Sequence, residues 1–202
     1  MTQTNRATQA KLTREHFLRI AKRHFADFGF DGTSIAGIVA EVGMTKQALL
    51  HHFGNKQKLY AEVLKQISAP SVEHSEQFLK LPPRAQLERL IIGRKIDDTE
   101  TTRLVMRELL DNKTRAESAG YWVLKPYLDN LVSVVRSIPG EQNLSDAEAL
   151  ATVYQLLGAI SYFQVSTPTL SKMYGSEIFE ATKQQYPVVL KRLIRSRFPD
   201  AT

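Results

Sequence analysis

The stretch from Thr33 to Lys56, TSIAGIVAEVGMTKQALLHHFGNK, constrains the fold more than any other part of this chain. Ile35, Ile38, Val39 and Val42 recur at spacings of three and four, which lays one apolar stripe along a short helix. Thr33 and Ser34 follow Gly32 and offer side-chain oxygens to the open N–H groups at the start of that helix. Gly43 then supplies the left-handed backbone that ends helices. Thr45 caps a second short helix whose apolar residues, Ala48, Leu49 and Phe53, pack back on the first. Asn55 caps a third, with Leu59, Tyr60 and Val63 as its buried stripe.

Two short helices joined by a tight glycine turn, with polar and basic residues on the second, form a helix-turn-helix pattern. The second helix of such a unit is shaped to enter the major groove of DNA. Lys46, Gln47, Leu50 and His51 fall on its outward faces. Gln47 suits adenine, Lys46 suits guanine or a phosphate, and Leu50 offers apolar contact to a thymine methyl. Thr33, Ser34, Thr45 and Lys56 are expected on phosphates, where they position the protein without reading sequence. His52 either reaches a phosphate or turns inward against Phe53. A lysine in a helix's first turn opposes the helix dipole, so Lys56 makes sense beside a phosphate. His51 and His52 are adjacent and point about 100° apart on a helix, which argues against a shared metal ion.

The run VGMTKQALLHHFGNKQKLY resembles the DNA-binding signature of TetR-type (tetracycline-repressor-like) transcriptional regulators. FADFGFDGTSIAGIVAEVG, upstream, resembles that family's first helix, glycine turn and second helix. The resemblance covers about residues 10 to 66. Leu50 stands where the family usually has a phosphate-touching tyrosine, and Ala36 and Gly37 where it often has a polar residue near DNA. The resemblance implies an all-α chain: a three-helix DNA-binding domain over 10–67, its helix-turn-helix near 34–53, then a larger helical domain over 71–202 for effector binding and dimerisation.

The charge is uneven in a way that fits. Residues 1–66 carry ten Lys/Arg and five Asp/Glu, nearly all of the chain's net charge of +6. Excess cations beside a groove-reading helix are what phosphate contact uses. The 202 residues contain no cysteine, which removes disulfides and thiolate chemistry. No stretch approaches the roughly 18 apolar residues of a membrane helix, and the N-terminal residues lack a signal-peptide core. The expectation is a cytoplasmic, nucleoid-associated protein without a cofactor. No Ser/His/Asp order, phosphate loop, HExxH or metal-spaced cluster points to an enzyme. Glu108, Asp111 and Glu117 read as a solvated face.

Beyond residue 66 the pattern stays helical. Ser68-Ala69-Pro70-Ser71 reads as a break and a domain boundary, Pro82-Pro83 as a second break. A helix over 114–136 would be kinked by Pro126, and 138–144 reads as a loop. Ser145 and Glu148 have the spacing of a capping box. The last two helices, about 145–166 and 176–197, carry apolar residues on more than one face: Leu150, Val153, Tyr154, Leu157 and Ser161 on one side, Ala149, Leu156, Ile160 and Phe163 on the other. Such helices must be covered twice, by a monomer core or by a second copy. The resemblance implies a homodimer on a palindromic operator of double-stranded DNA. It also implies a small organic effector between helices, with Arg94, Arg103, Met106, Tyr121, Trp122, Tyr162 and Phe163 as candidate lining residues. A constitutive or architectural DNA-binding protein without a ligand is the alternative.

Overall fold

The computed structural model describes residues 3–93, 98–111 and 122–199. All regular structure among them is α-helical, and the fold class agrees with the sequence reading. The helices are α1 (Gln3–Gly32), α2 (Ile35–Val42), α3 (Lys46–Phe53), α4 (Lys56–Phe78), α5 (Pro83–Ile92), α6 (Thr99–Asp111), α7 (Lys125–Ser137), α8 (Asp146–Tyr174) and α9 (Ser176–Arg197).

The chain divides into two compact units. One joins Met1–Ile67 to Arg103–Val123; the other joins Ser68–Thr102 to Leu124–Thr202. Among the described residues, Arg103–Asp111 group with the N-terminal unit. Ser68–Ser71 does not break the chain, since α4 runs on to Phe78. One proline removes one backbone bond and bends a helix without forbidding it.

In the first unit, Phe17, Leu18 and Phe25 of α1 meet Ile38 of α2, Leu49 and Phe53 of α3, and Leu59 and Val63 of α4, all buried. Leu104 of α6 completes this core. Each such side chain contributes about 1.5–3 kcal/mol relative to exposure. Phe25 packs its ring edge against Tyr60 at 4.7 Å. Gly29 interrupts α1 with a φ of 71°. Arg107 of α6 serves the carbonyls around this interruption, donating from Nε to Ala26 O and from Nη2 to Asp27 O, both at 3.0 Å.

The second unit is built on Leu87 and Ile91 of α5, Leu131 and Val135 of α7, Ala149, Val153 and Ile160 of α8, and Leu190 and Ile194 of α9. Charged groups fasten its ends. The carboxylate of Glu88 (α5) takes Arg195 Nε at 2.8 Å and Lys191 Nζ at 3.2 Å, both from α9. Burial pushes this carboxyl upward, but the bonds and charges of Arg195 and Lys191 outweigh it and hold it below its usual range. Arg84 donates to Phe198 O at 3.0 Å, and Arg197 grips Glu141 through both oxygens.

Ser145 and Glu148 form the expected capping box, and 138–144 lies between helices. Pro126 departs from expectation: it sits in the first turn of α7, where no N–H is needed, rather than inside a longer helix. The expected start of that helix, 114–121, lies outside the described residues. α8 extends past residue 166 to Tyr174, through Pro168. It does carry two faces, but Val153, expected on the side of Leu150 and Tyr154, lies instead on the buried side. Ala149, Val153, Leu156, Ile160 and Phe163 are buried, while Leu150 and Tyr154 remain exposed.

Candidate nucleic-acid interface

Local capping builds the helix-turn-helix. Ser34 Oγ accepts from Gly37 N at 3.0 Å and starts α2. Gly43, at φ 73°, ends it, and Met44 N then reaches Val39 O at 3.1 Å. Thr45 Oγ1 accepts from Ala48 N at 3.2 Å and starts α3. Gly54 closes α3 with a bond to Leu50 O at 2.7 Å, and Asn55 Oδ1 caps α4 through Lys58 N at 2.8 Å. With both ends fixed, α3 buries Leu49 and Phe53 and leaves Lys46, Gln47 and His51 exposed. Leu50 is half-buried and packs against the core.

Two ionic ties orient this unit on α1. Glu41 of α2 binds both Arg23 and His24, the latter through Nε2 at 2.9 Å. Burial, then the neighbouring Arg23 charge, holds the His24 imidazole below its usual range, with Asp27 opposing. The ring is therefore neutral near pH 7. Glu62 of α4 pairs with Arg14, whose guanidinium lies 5.1 Å from the centre of the Phe53 ring.

Several expected contacts are placed differently. Thr33 is buried, and its hydroxyl faces Gly29 O at 2.7 Å and His24 O at 3.0 Å. It closes the end of α1. His52 turns inward, its ring 5.9 Å from Phe17 and 6.1 Å from Phe53. Lys56 is half-buried, its ammonium 4.5 Å from the centre of the Phe30 ring and 3.5 Å from Asp31 O. The carbonyl end of α1 thus offsets the unfavourable dipole at the start of α4. Glu108 is buried rather than solvated, accepting from Tyr60 Oη at 2.8 Å. Its partner is 48 residues away in sequence, and no local pattern announces it.

Of the expected effector residues, Arg103, Met106 and Trp122 belong to the first unit and Tyr162 and Phe163 to the second. Arg103 pairs with Asp27 at 3.0 Å. Met106 is half-buried, while Trp122 and Tyr162 are exposed at 52% and 71%. Phe163 is buried and stacks on Tyr186 at 3.9 Å, a contact internal to α8 and α9. Arg94 and Tyr121 lie outside the described residues. A cavity of about 350 Å³ in the first unit is lined by Phe28, Gly29, Phe30, Asp31, Gly32, Tyr60 and Arg107, none of them in the expected set. Arg107 went unnoticed in the sequence because its partners are distant and apolar periodicity says nothing of it, and Tyr60 was read only as part of a buried stripe. Among the described residues no group of His, Cys, Asp or Glu is arranged to hold a metal, and no helix is long and apolar enough to cross a membrane.

Known proteins carry the same arrangement. Residues 17–63 match the family described as bacterial regulatory proteins of the tetR family. The HTH-type transcriptional regulator RutR of Escherichia coli strain K12 is 24% identical over 178 residues, which cover 86% of this chain and 83% of RutR. The transcriptional repressor AcnR of Corynebacterium jeikeium is 40% identical over 43 residues, 21% of this chain and 23% of that protein. Among solved structures, the regulator SCO4942 of Streptomyces coelicolor superposes with a TM-score of 0.69 at 16% identity, over 94% of this chain and 99% of that one. FadR of Bacillus subtilis, solved with stearoyl-CoA, gives 0.64 at 15%, over 87% and 96%. The capped helix pair and its exposed polar face define a helix-turn-helix DNA-binding protein. Residues 17–63 of the chain carry the DNA-binding domain of the tetR family of bacterial regulatory proteins.

Proposed function

We propose that the protein is a repressor that binds a short palindromic operator as a homodimer and is released by a small organic effector. The observation that carries this reading is α3 itself, capped at both ends, anchored by Leu49 and Phe53, and presenting Lys46, Gln47 and His51 outward. Gln47 reads a base, with Lys46 and His51 beside it and Leu50 against a thymine methyl. Ser34 and Thr45, exposed at the starts of α2 and α3, set the register on phosphates. One eight-residue helix reads only a few base pairs, so a two-fold pair is required for a distinct site.

The surface of α8 and α9 supports the pairing. Leu150, Tyr154, Ile178, Val189 and Leu193 are each exposed by 41% or more although large and apolar. A second copy of the same two helices removes that surface from water. The release step follows a shift between two populations, of which the effector prefers one. FadR's stearoyl-CoA is that protein's ligand, and an organic molecule bound by a protein of similar fold supports the effector reading.

Selection of bound duplexes from random DNA tests the reading. A two-fold symmetric motif is expected, and Gln47→Ala should then lose roughly 1–3 kcal/mol of preference at a single base position. Recovery of no enriched sequence would defeat it.

A further inference from the structure

We propose that the cavity of about 350 Å³ in the first unit is a binding site for a small planar aromatic carboxylate, held among aromatic rings with its charged end on Arg107. The site lies within the unit that carries the helix-turn-helix, and it stands whether or not the operator reading above holds.

The end of α1 gives the cavity its room. Gly29 interrupts that helix at φ 71° and ψ 180°, a conformation that side chains do not adopt without strain. Arg107 Nη1 stands 3.3 Å from the place where a Cβ on Gly29 would be, so this end of the guanidinium runs along bare backbone. Gly32, also in the lining, adds no side chain either. Two glycines thus leave a stretch of main chain that a flat ligand can approach closely.

The side chains around this space select the ligand. Phe30 and Tyr60 meet edge to face, with ring centres 5.2 Å apart. Tyr60 donates its hydroxyl to Glu108 at 2.8 Å, so what it offers a ligand is its ring. Phe28 is 59% exposed, an aromatic surface that a bound ring would take out of water. Arg107 is half-buried, and its bonds from Nε and Nη2 to Ala26 O and Asp27 O fix the guanidinium plane. A fixed guanidinium stacks on aromatic rings and matches the fork of a carboxylate. Among the described residues of the lining, Asp31 carries the one carboxylate, and it is exposed. Water and salt screen it, while they screen the half-buried Arg107 less, so the favoured ligand charge is negative. The volume lies near the lower end of the roughly 300–1,000 Å³ usual for ligand pockets, which suits one substituted ring and excludes a long acyl chain.

The test titrates the full-length protein calorimetrically with benzoate, with benzamide as the uncharged ring and benzylammonium as the cationic one. Benzoate should bind at a single site per subunit. Benzamide should bind roughly tenfold more weakly, because it lacks the charge that Arg107 holds. Benzylammonium should not bind. Phe28→Ala, at an exposed position, should keep the melting temperature measured by circular dichroism and weaken benzoate roughly fivefold. Arg107→Lys, which keeps the charge and loses the fork, should weaken it roughly tenfold. No benzoate binding at millimolar concentration would overturn the proposal. Unchanged affinity in Phe28→Ala would place the ligand elsewhere, and benzamide binding as tightly as benzoate would remove the role of Arg107; either result would overturn it as well.

Discussion

The two units treat glycine and proline in opposite ways. In the N-terminal unit every turn of the helix-turn-helix is made by glycine: Gly43 and Gly54, at φ of 73° and 79°, end α2 and α3. No proline occurs before Pro70. All eight prolines lie from there on, and the helices largely ignore them. Pro168 and Pro187 sit inside α8 and α9, and Pro83 and Pro126 merely occupy first turns. A positive φ is a strict local demand that a side chain meets only at a cost. A missing N–H is one lost bond, which packing along a long helix offsets. Gly43 and Gly54, at positive φ, are therefore true stops, whereas the prolines inside α8 and α9 are not.

The contrast can be broken most severely at the anchor of the recognition helix. Phe53→Ala should cost about 3–5 kcal/mol in chemical denaturation and abolish operator binding, because the cavity opens under α3. Retained stability would mean that α3 does not depend on the core beneath it. Next in size are two changes of opposite sign. Pro168→Ala, at an exposed position within α8, should restore a backbone bond to Gln164 O and raise stability by about 1–3 kcal/mol. Gly43→Val should lower it by about 1–2 kcal/mol. If thermal melts moved both variants the same way, the distinction between the two residues would fail.

Leu193→Glu separates folding from pairing. Leu193 is 56% exposed, so the monomer should tolerate the change while sedimentation shows the dimer lost. The smallest expected effect is in acid. The Glu88 carboxyl is depressed in the folded state, so its contribution is full above the ordinary value of 4.5 and is lost as pH falls below that through the depressed value. Glu88→Gln should therefore lower the melting temperature at pH 7, with the gap to wild type narrowing below about pH 4. A gap constant with pH would show that geometry, not charge, makes the tie to Arg195 and Lys191.

How much was legible depended on the distance between cause and effect along the chain. Ser34, Thr45, Asn55 and Ser145 cap helices three residues away, and each was readable from that spacing. The two-faced character of α8 was readable for the same reason, since its stripes repeat every three or four residues. The buried place of Thr33 was not announced by local spacing, because its carbonyl partners belong to the preceding helix. The role of Lys56 was invisible in sequence because it depends on where Phe30 and Asp31 come to rest. The expected effector residues were chosen by residue type alone, and type says nothing about convergence.

By itself, then, the sequence determined a helical chain with a glycine-punctuated helix-turn-helix, its caps, its buried stripe and its outward polar residues. These depend on backbone conformation and on contacts within one or two turns. Only the tertiary structure decided that Arg107 serves the end of α1 and that Glu108 receives Tyr60. Those outcomes turn on pairs separated by tens of residues. The geometry that joins such pairs exists only once the core has closed.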